Sequence, residues 1–212
     1  MVYEGHVKHH YGEIPAGYYK RPVWNTQSGS TVVGTGMPII KPKYTEQFDF
    51  EFEMGFYIGK RGIDIQPEEA MDYVAGFTVF NDVSARDAQA DEAVMALGPA
   101  KGKFFRNSLV MGPCVVTKDE LPDYADLAMT ARVNGEVVTE NRTSGMLFSL
   151  GQLVAQISQD VYLNPGDFIG LGTSPEGNAT CSKLGRWIQP GDEIEFTIEK
   201  IGTICNKVIA AE

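Results

Sequence analysis

The stretch Phe48-Asp49-Phe50-Glu51-Phe52-Glu53-Met54-Gly55-Phe56-Tyr57-Ile58 decides the fold of this chain. Apolar side chains occupy every second position, and Glu51, Glu53 and Gly55 lie between them. Because successive side chains of a strand point to opposite faces, this alternation predicts a half-buried β-strand with its apolar face in the core. The two glutamates would lie about 7 Å apart on the other face, beside the space left by Gly55.

Strand signals continue through the rest of the sequence. The apolar run 77–83 predicts a buried strand, and Asn134-Gly135 predicts a hairpin turn between two further strands. Pro-Gly-Asp at 165–167 and again at 190–192 predicts turns that each start a strand. The sequence therefore predicts a single α+β domain over residues 1–212, mostly β, with a rolled or barrel-like sheet.

Helix signals are fewer and shorter. One helix is predicted to begin at Pro67 and to be closed by Gly76, and a helical turn is predicted to begin at a cap on Ser84. Ser149 and Gln152 are typical of a capping box before a longer helix, whose apolar stripe ends at Val161.

The composition excludes several classes of function. The formal charge of −10 disfavours nucleic acids and anionic membranes as partners, since both attract clustered lysine and arginine. No apolar run approaches the roughly 20 residues of a membrane helix, and no secretory pattern precedes the first strand. The three cysteines are odd in number and widely spaced, so we expect reduced core thiols in a cytoplasmic protein.

The acidic pair has two interpretations. Glu51 and Glu53 could simply be the solvated face of an edge strand. Alternatively they meet Asp82, which ends the apolar run 77–83 and needs a partner because an unpaired buried carboxylate is costly. Three convergent carboxylates would need a cation, and oxygen ligands favour Mg²⁺, Mn²⁺ or Ca²⁺ over Zn²⁺.

Several motifs in order resemble those of the fumarylacetoacetate hydrolase family. They are Asp49–Met54, Gly76–Gln89, Lys103 nine residues before Gly112-Pro113, Val133–Glu136, Pro165–Asp167, Gly172-Thr173 and Pro190–Asp192. The resemblance implies the rolled β fold of that family's C-terminal domain, a Mg²⁺ or Mn²⁺ site and a homodimer. Members normally carry more chain, including a strand, before the position of His6, so an N-terminal part of the family chain is expected to be absent here.

The resemblance also implies roles for individual residues. Glu51, Glu53 and Asp82 would be the metal ligands, and the catalytic residues would be Lys103 and His6, the histidine that activates water. Substrate binding would fall to Arg86, Gln89 and Thr173. His9 stands where some members have a glutamate that partners the histidine. This departure from the family pattern leaves the identity of the substrate undetermined.

These residues suit chemistry beside the carbonyl of a small 2-oxo acid. Such an acid can chelate a hard divalent ion, which stabilises the enolate formed when a neighbouring C–C bond breaks. Water attack on a 2,4-dioxo acid of the acylpyruvate type would make the protein a hydrolase. Two alternatives remain: a lyase that decarboxylates oxaloacetate, or hydrates or isomerises a related 2-oxo acid, and a non-catalytic relative that keeps only the metal.

Overall fold

The computed structural model describes residues 3–96 and 98–212, apart from the side chains of residues 10 and 11, and strands dominate it. The strands are β1 Val32–Val33, β2 Ile39–Lys41, β3 Phe48–Asp49, β4 Phe52–Ile58, β5 Val74–Asp82, β6 Ser84–Ala85, β7 Leu109–Thr117, β8 Ala128–Val133, β9 Glu136–Arg142, β10 Phe168–Gly170, β11 Glu193–Ile198 and β12 Gly202–Ala210. The α-helices are α1 Glu4–Tyr11, α2 Ala70–Tyr73, α3 Arg86–Val94 and α4 Leu150–Ser158. Short 3₁₀ helices span Ala16–Tyr19, Gly29–Thr31, Pro67–Glu69 and Tyr124–Asp126.

Most of these strands form two five-stranded sheets. The first has the order β1-β7-β5-β4-β10, and the second has the order β2-β12-β11-β8-β9. All neighbours are antiparallel except β1 with β7 and β2 with β12. Strands β3 and β6 form a separate antiparallel pair, in which Asp49 lies opposite Ser84. The mostly β, rolled architecture predicted from the sequence is confirmed.

The core lies between the two sheets and is built on the alternating stretch. Its apolar side chains from Phe48 to Ile58 are at most 2% exposed, as the alternation predicts. The rings of Phe50 and Phe52 pack on Phe196 of β11, with centroids 5.3 and 4.3 Å apart. Burying each phenylalanine contributes about 1.5–3 kcal/mol, so this strand joins the two sheets strongly.

Two helix predictions were wrong at their boundaries. The segment that begins at Pro67 ends at Tyr73, and Gly76 lies inside β5 instead of closing a helix. A Cβ at Gly76 would lie 2.3 Å from the Val116 carbonyl oxygen, so the close approach of β7 requires glycine there. Ser84 forms part of β6 and donates its hydroxyl to the Asp82 carbonyl, and α3 begins two residues later at Arg86 without a side-chain cap.

Other local predictions were confirmed. Ser149 and Gln152 form a reciprocal capping box at the start of α4, although Val161 lies beyond its end. Asn134 and Gly135 adopt φ angles of 54° and 82° in the β8–β9 hairpin, as a type I′ turn requires. The two Pro-Gly-Asp turns directly precede β10 and β11.

The compartment of the protein remains a prediction, as does the homodimer. All three cysteines are free thiols, but none is a core residue, because Cys114 is exposed and the other two are partly exposed. Within the described residues, no helix has the length and apolar character needed to cross a membrane.

The turn before β11 gives a first testable prediction, through Asp192. Its carboxylate accepts hydrogen bonds from Arg186, Gln189 N and Asn134, and the Arg186 guanidinium lowers the pKa of Asp192 to about 2. A lowered pKa stabilises the fold above the unfolded pKa near 4, and the stabilisation disappears as the pH falls through about 2. We expect Asp192→Asn to lower the free energy of unfolding at pH 7 by about 2 kcal/mol.

Urea unfolding at pH 7 and pH 3 would measure this difference. The gap between wild type and Asp192→Asn should shrink at pH 3, because the Asp192 carboxylate of the unfolded chain, with a pKa near 4, is then largely protonated while that of the folded chain stays mostly ionised. Asp91→Asn, an exposed substitution in α3, is the matched control. An equal gap at both pH values would contradict a charge-based stabilisation.

Candidate metal centre

Glu53 lies in β4 and Glu51 directly precedes it, and β4 is an interior strand paired with both β5 and β10. The two residues are 6% and 4% exposed. The solvated edge-strand interpretation is therefore wrong, and so is the expectation of a half-buried strand. The second face is covered because residues 172–177 contact it: Gly172 N and Thr173 Oγ1 donate to the Glu53 carboxylate, and Ser174 and Gly177 pair with the backbone of Phe52.

Asp82 joins the two glutamates through the register of β4 and β5. Phe52 lies opposite Asn81, and the Asp82 amide donates to the Glu51 carbonyl at 3.1 Å. As a result, carboxylate oxygens of Glu51, Glu53 and Asp82 lie within 4.8 Å of one another. The structure thus brings the three predicted ligands together, all of them buried.

Lys103 reaches this cluster from the turn after α3 and is 3% exposed. Its Nζ donates to Glu51 Oε2 at 2.6 Å and lies 2.9 Å from Asp82 Oδ2. Burial by itself lowers the pKa of Lys103, but Asp82 and Glu51 outweigh that effect and raise it. Lys103 is therefore a buried ammonium between two of the three acids.

Arg86 connects the cluster to a further acid that the sequence reasoning missed. Its Nε donates to Asp49 Oδ2 at 2.7 Å, and one terminal nitrogen lies 2.7 Å from Glu51 Oε1. Nη1 donates to Gln89 Oε1 at 3.1 Å. Asp49 also accepts from Ala179 N, so it is the buried partner of Arg86. Its position in the same alternation as Glu51 was a signal that could have identified it.

The loop after β10 holds Glu53. Gly172 N donates to Glu53 Oε2 at 2.8 Å, and Thr173 Oγ1 donates to Oε1 at 3.2 Å. Gly172 adopts a φ of 90°, a conformation that favours glycine. The space beside the carboxylate comes from Gly170, where a Cβ would lie 2.8 Å from Glu53 Oε2. Gly55 does not provide it, because the ring of Phe168 fills its position.

His6 lies on α1 and is 4% exposed, so it is a buried residue beside the acids. Its Nε2 is 3.6 Å from Glu51 Oε1. The helix is attached where Tyr3 OH donates to Thr143 O at 2.8 Å and where Gly5 packs on Pro175. His9, on the same helix, is exposed. The structure therefore places the His6 imidazole beside the carboxylates and not in solvent.

The site contains more buried acids than buried cations. The four carboxylates are those of Asp49, Glu51, Glu53 and Asp82, and the two cations are Arg86 and Lys103. With all four acids ionised, the excess of two negative charges equals the charge of one divalent cation. Burial, Asp82 and Glu51 raise the pKa of Glu53 to about 8, which shows how strongly the site resists a further negative charge. An all-oxygen donor set with this excess fits Mg²⁺ or Mn²⁺.

Comparison with protein families and curated proteins gives consistent results. The family model described as fumarylacetoacetate (FAA) hydrolase C-terminal matches residues 2–209. The oxaloacetate tautomerase Fahd2a of Rattus norvegicus, described as mitochondrial, is 39% identical over 209 residues. The match covers 99% of this chain and 64% of the rat protein, so the chain spans less than two thirds of that relative.

Solved structures share the fold. A 5-carboxymethyl-2-hydroxymuconate delta-isomerase from Mycobacterium smegmatis has a TM-score of 0.83 and 31% identity, covering 100% of this chain and 77% of that one. A fumarylpyruvate hydrolase from Pseudomonas aeruginosa, in complex with Mn²⁺ and pyruvate, has a TM-score of 0.85 and covers 99% and 87%. Its identity of 24% supports similarity of fold alone. The three relatives are described by three different reactions, so the shared fold does not define the reaction.

Proposed function

We propose a reaction for this chain, which belongs to the fumarylacetoacetate hydrolase family. It is a divalent-metal-dependent enzyme that forms an enolate beside the carbonyl of a 2-oxo acid. The reaction we favour is the keto–enol tautomerisation of oxaloacetate or a closely similar acid. The observation that carries the proposal is the buried ammonium of Lys103 within the carboxylate cluster, 2.6 Å from Glu51 and 2.9 Å from Asp82. The tautomerase described in the rat supports this choice among the reactions of the family.

Each group of the site has a defined part in such a reaction. Mg²⁺ or Mn²⁺ held by Glu51, Glu53 and Asp82 would supply positive charge for the carboxylate and keto oxygens of the substrate. Lys103 Nζ contacts Glu51 Oε2, Asp82 Oδ2 and the Asp82 carbonyl oxygen, so it would exchange one of these contacts for a hydrogen bond to the oxygen on which negative charge develops. Arg86 contacts both Asp49 and Glu51, and it thereby holds the Glu51 carboxylate in position. The proton lost from the enol oxygen and the proton gained at C3 can be exchanged with water.

Hydrolysis of an acylpyruvate is the second candidate, and the position of His6 favours it. A neutral imidazole can take a proton from water, and that water could attack the distal carbonyl to release pyruvate and a carboxylic acid. The histidine is buried beside Glu51, where such a water would be needed. Position 9 carries histidine instead of the glutamate found in some family members, so water activation is expected to be the weaker activity.

The test is to incubate the purified protein and Mg²⁺ with oxaloacetate, acetylpyruvate or fumarylacetoacetate and to follow products by NMR in D₂O. Tautomerisation would appear as faster exchange of the C3 protons of oxaloacetate. Hydrolysis would appear as pyruvate and acetate from acetylpyruvate, or as fumarate and acetoacetate from fumarylacetoacetate, whereas pyruvate formed from oxaloacetate would indicate decarboxylation. Absence of exchange and cleavage for all three acids would contradict the proposal. Metal binding without any turnover would instead favour the non-catalytic relative.

Replacing His6 separates the two candidate reactions. We expect His6→Ala to reduce acylpyruvate cleavage by about 10²–10⁴-fold, since that reaction needs a base for water. Tautomerisation should retain at least a tenth of its rate, because Lys103 still stabilises the enolate. Lys8→Ala, an exposed substitution on the same helix, is the control. Equal loss of both activities would mean that His6 serves binding or folding.

A further inference from the structure

Gln27 contacts the acidic cluster from an irregular segment between two 3₁₀ helices, Ala16–Tyr19 and Gly29–Thr31. The residue is exposed, yet its Nε2 lies 3.0 Å from Asp82 Oδ1 and 2.9 Å from Asp82 Oδ2. The amide nitrogen faces the carboxylate because the amide oxygen is an acceptor and would be repelled. We propose that Gln27 is a positioning residue of the metal centre, whose amide fixes the orientation of Asp82 as a ligand.

The need for such a residue follows from the geometry of Asp82. A carboxylate rotates easily about its bond to Cβ, because that torsion has only broad preferences. Lys103 Nζ contacts the side chain through Oδ2, at 2.9 Å. Gln27 reaches both oxygens and therefore defines the plane of the carboxylate. Each oxygen has further lone pairs, so an ion and the amide can share the group.

The other two acids of the cluster are oriented in a similar way. Glu53 accepts from Gly172 N and from Thr173 Oγ1, one bond to each oxygen. Glu51 has Lys103 on one oxygen and Arg86 on the other. Gln27 gives Asp82 the same two-oxygen support, but from the N-terminal segment. Loss of a group that orients a ligating side chain typically weakens metal affinity about 10–100-fold.

The inference rests on the proposed function, because it needs the metal site. The experiment is a calorimetric titration of the full chain with Mn²⁺, comparing wild type with Gln27→Ala. We expect the Kd for Mn²⁺ to rise about 10–100-fold in the variant. Gln66→Ala, at an exposed position before the 3₁₀ helix Pro67–Glu69, is the matched control and should bind as wild type does.

Thermal unfolding separates positioning from a general structural role. Gln27→Ala should keep the Tm of the metal-free protein and show a smaller rise in Tm at a fixed Mn²⁺ concentration, as weaker binding to the folded state requires. Gln27→Leu, which keeps the side-chain volume without a donor, should behave in the same way. That result would attribute the weaker binding to the lost hydrogen bond and not to the lost side-chain volume.

The outcomes distinguish this inference from the proposed function. Normal Mn²⁺ binding by wild type with a Kd within twofold in both Gln27 variants would overturn the role of Gln27 alone. A lower metal-free Tm with unchanged Kd would also overturn it, since Gln27 would then support the fold only. No Mn²⁺ binding by wild type would overturn both proposals.

Discussion

Replacing Lys103 with methionine is expected to lower kcat/KM for the 2-oxo-acid substrate by at least about 100-fold, as loss of one preorganised donor does in other active sites. The ammonium is buried at 3% exposure, so solvent screens it little and water cannot easily replace it. Methionine has a similar length and no charge, and it removes the hydrogen bond that Lys103 would make to the enolate oxygen.

The effect of this substitution should be larger on kcat than on KM. The negative charge on the enolate oxygen grows as the enolate forms, so the interaction is stronger in the transition state than in the bound substrate. Steady-state kinetics with Mg²⁺ at saturation would measure both constants. Lys101→Met, an exposed lysine two residues earlier, is the control. A loss below threefold would mean that the reaction does not use this ammonium.

Circular dichroism must accompany the kinetics, since Lys103 also compensates buried acids. Its removal leaves Glu51 with Arg86 as its remaining strong cationic partner, at 2.7 Å. Breaking a buried ion pair by removing one partner commonly costs about 3–5 kcal/mol. A variant that folds only when Mn²⁺ is present would support the view that Lys103 and a divalent ion share the task of neutralising this cluster.

Local patterns predicted much of the fold. The alternation from Phe48 to Ile58 identified the core face of β3 and β4, and the Asn134-Gly135 turn located a hairpin. These signals succeed because side-chain period and turn geometry depend on neighbouring residues. Ser84 shows the limit: its helix-cap pattern was overridden because β6 pairs with β3, a partner 35 residues away.

The candidate site was less accessible to such reasoning. The meeting of Glu51 with Asp82 depends on the register between β4 and β5, which no local pattern encodes. The cost of burying Asp82 unpaired offered this meeting as one of two interpretations, and the family resemblance had to decide between them. The burial of Glu53 depends on a loop more than 100 residues later in the chain. Gln27 lies in an irregular segment without periodicity, and its contact with Asp82 had no sequence signal.

Glu53→Gln is expected to abolish Mn²⁺ binding in calorimetry while the protein stays folded. The amide oxygen can replace one carboxylate oxygen toward Gly172 N, and the amide nitrogen can donate to Thr173 Oγ1, because a hydroxyl also accepts. Glutamine has nearly the same shape as a protonated glutamate, and the pKa of Glu53 is raised to about 8 by burial and by Asp82 and Glu51. The metal-free fold should therefore tolerate the change at pH 7.

The loss of affinity has a different cause, because glutamine cannot supply the negative charge that a hard divalent ion requires. Without that charge, the excess of ionised acids over cations in the cluster falls from two to one. One negative charge does not balance the two positive charges of a divalent ion. Glu140→Gln, at an exposed position in β9, is the matched control and should leave the Mn²⁺ isotherm unchanged. Undiminished Mn²⁺ binding by Glu53→Gln would remove the three-carboxylate metal centre. If Glu53→Gln lost Mn²⁺ binding but kept full tautomerase activity, the metal site would be structural. Lys103 would then be the main source of enolate stabilisation.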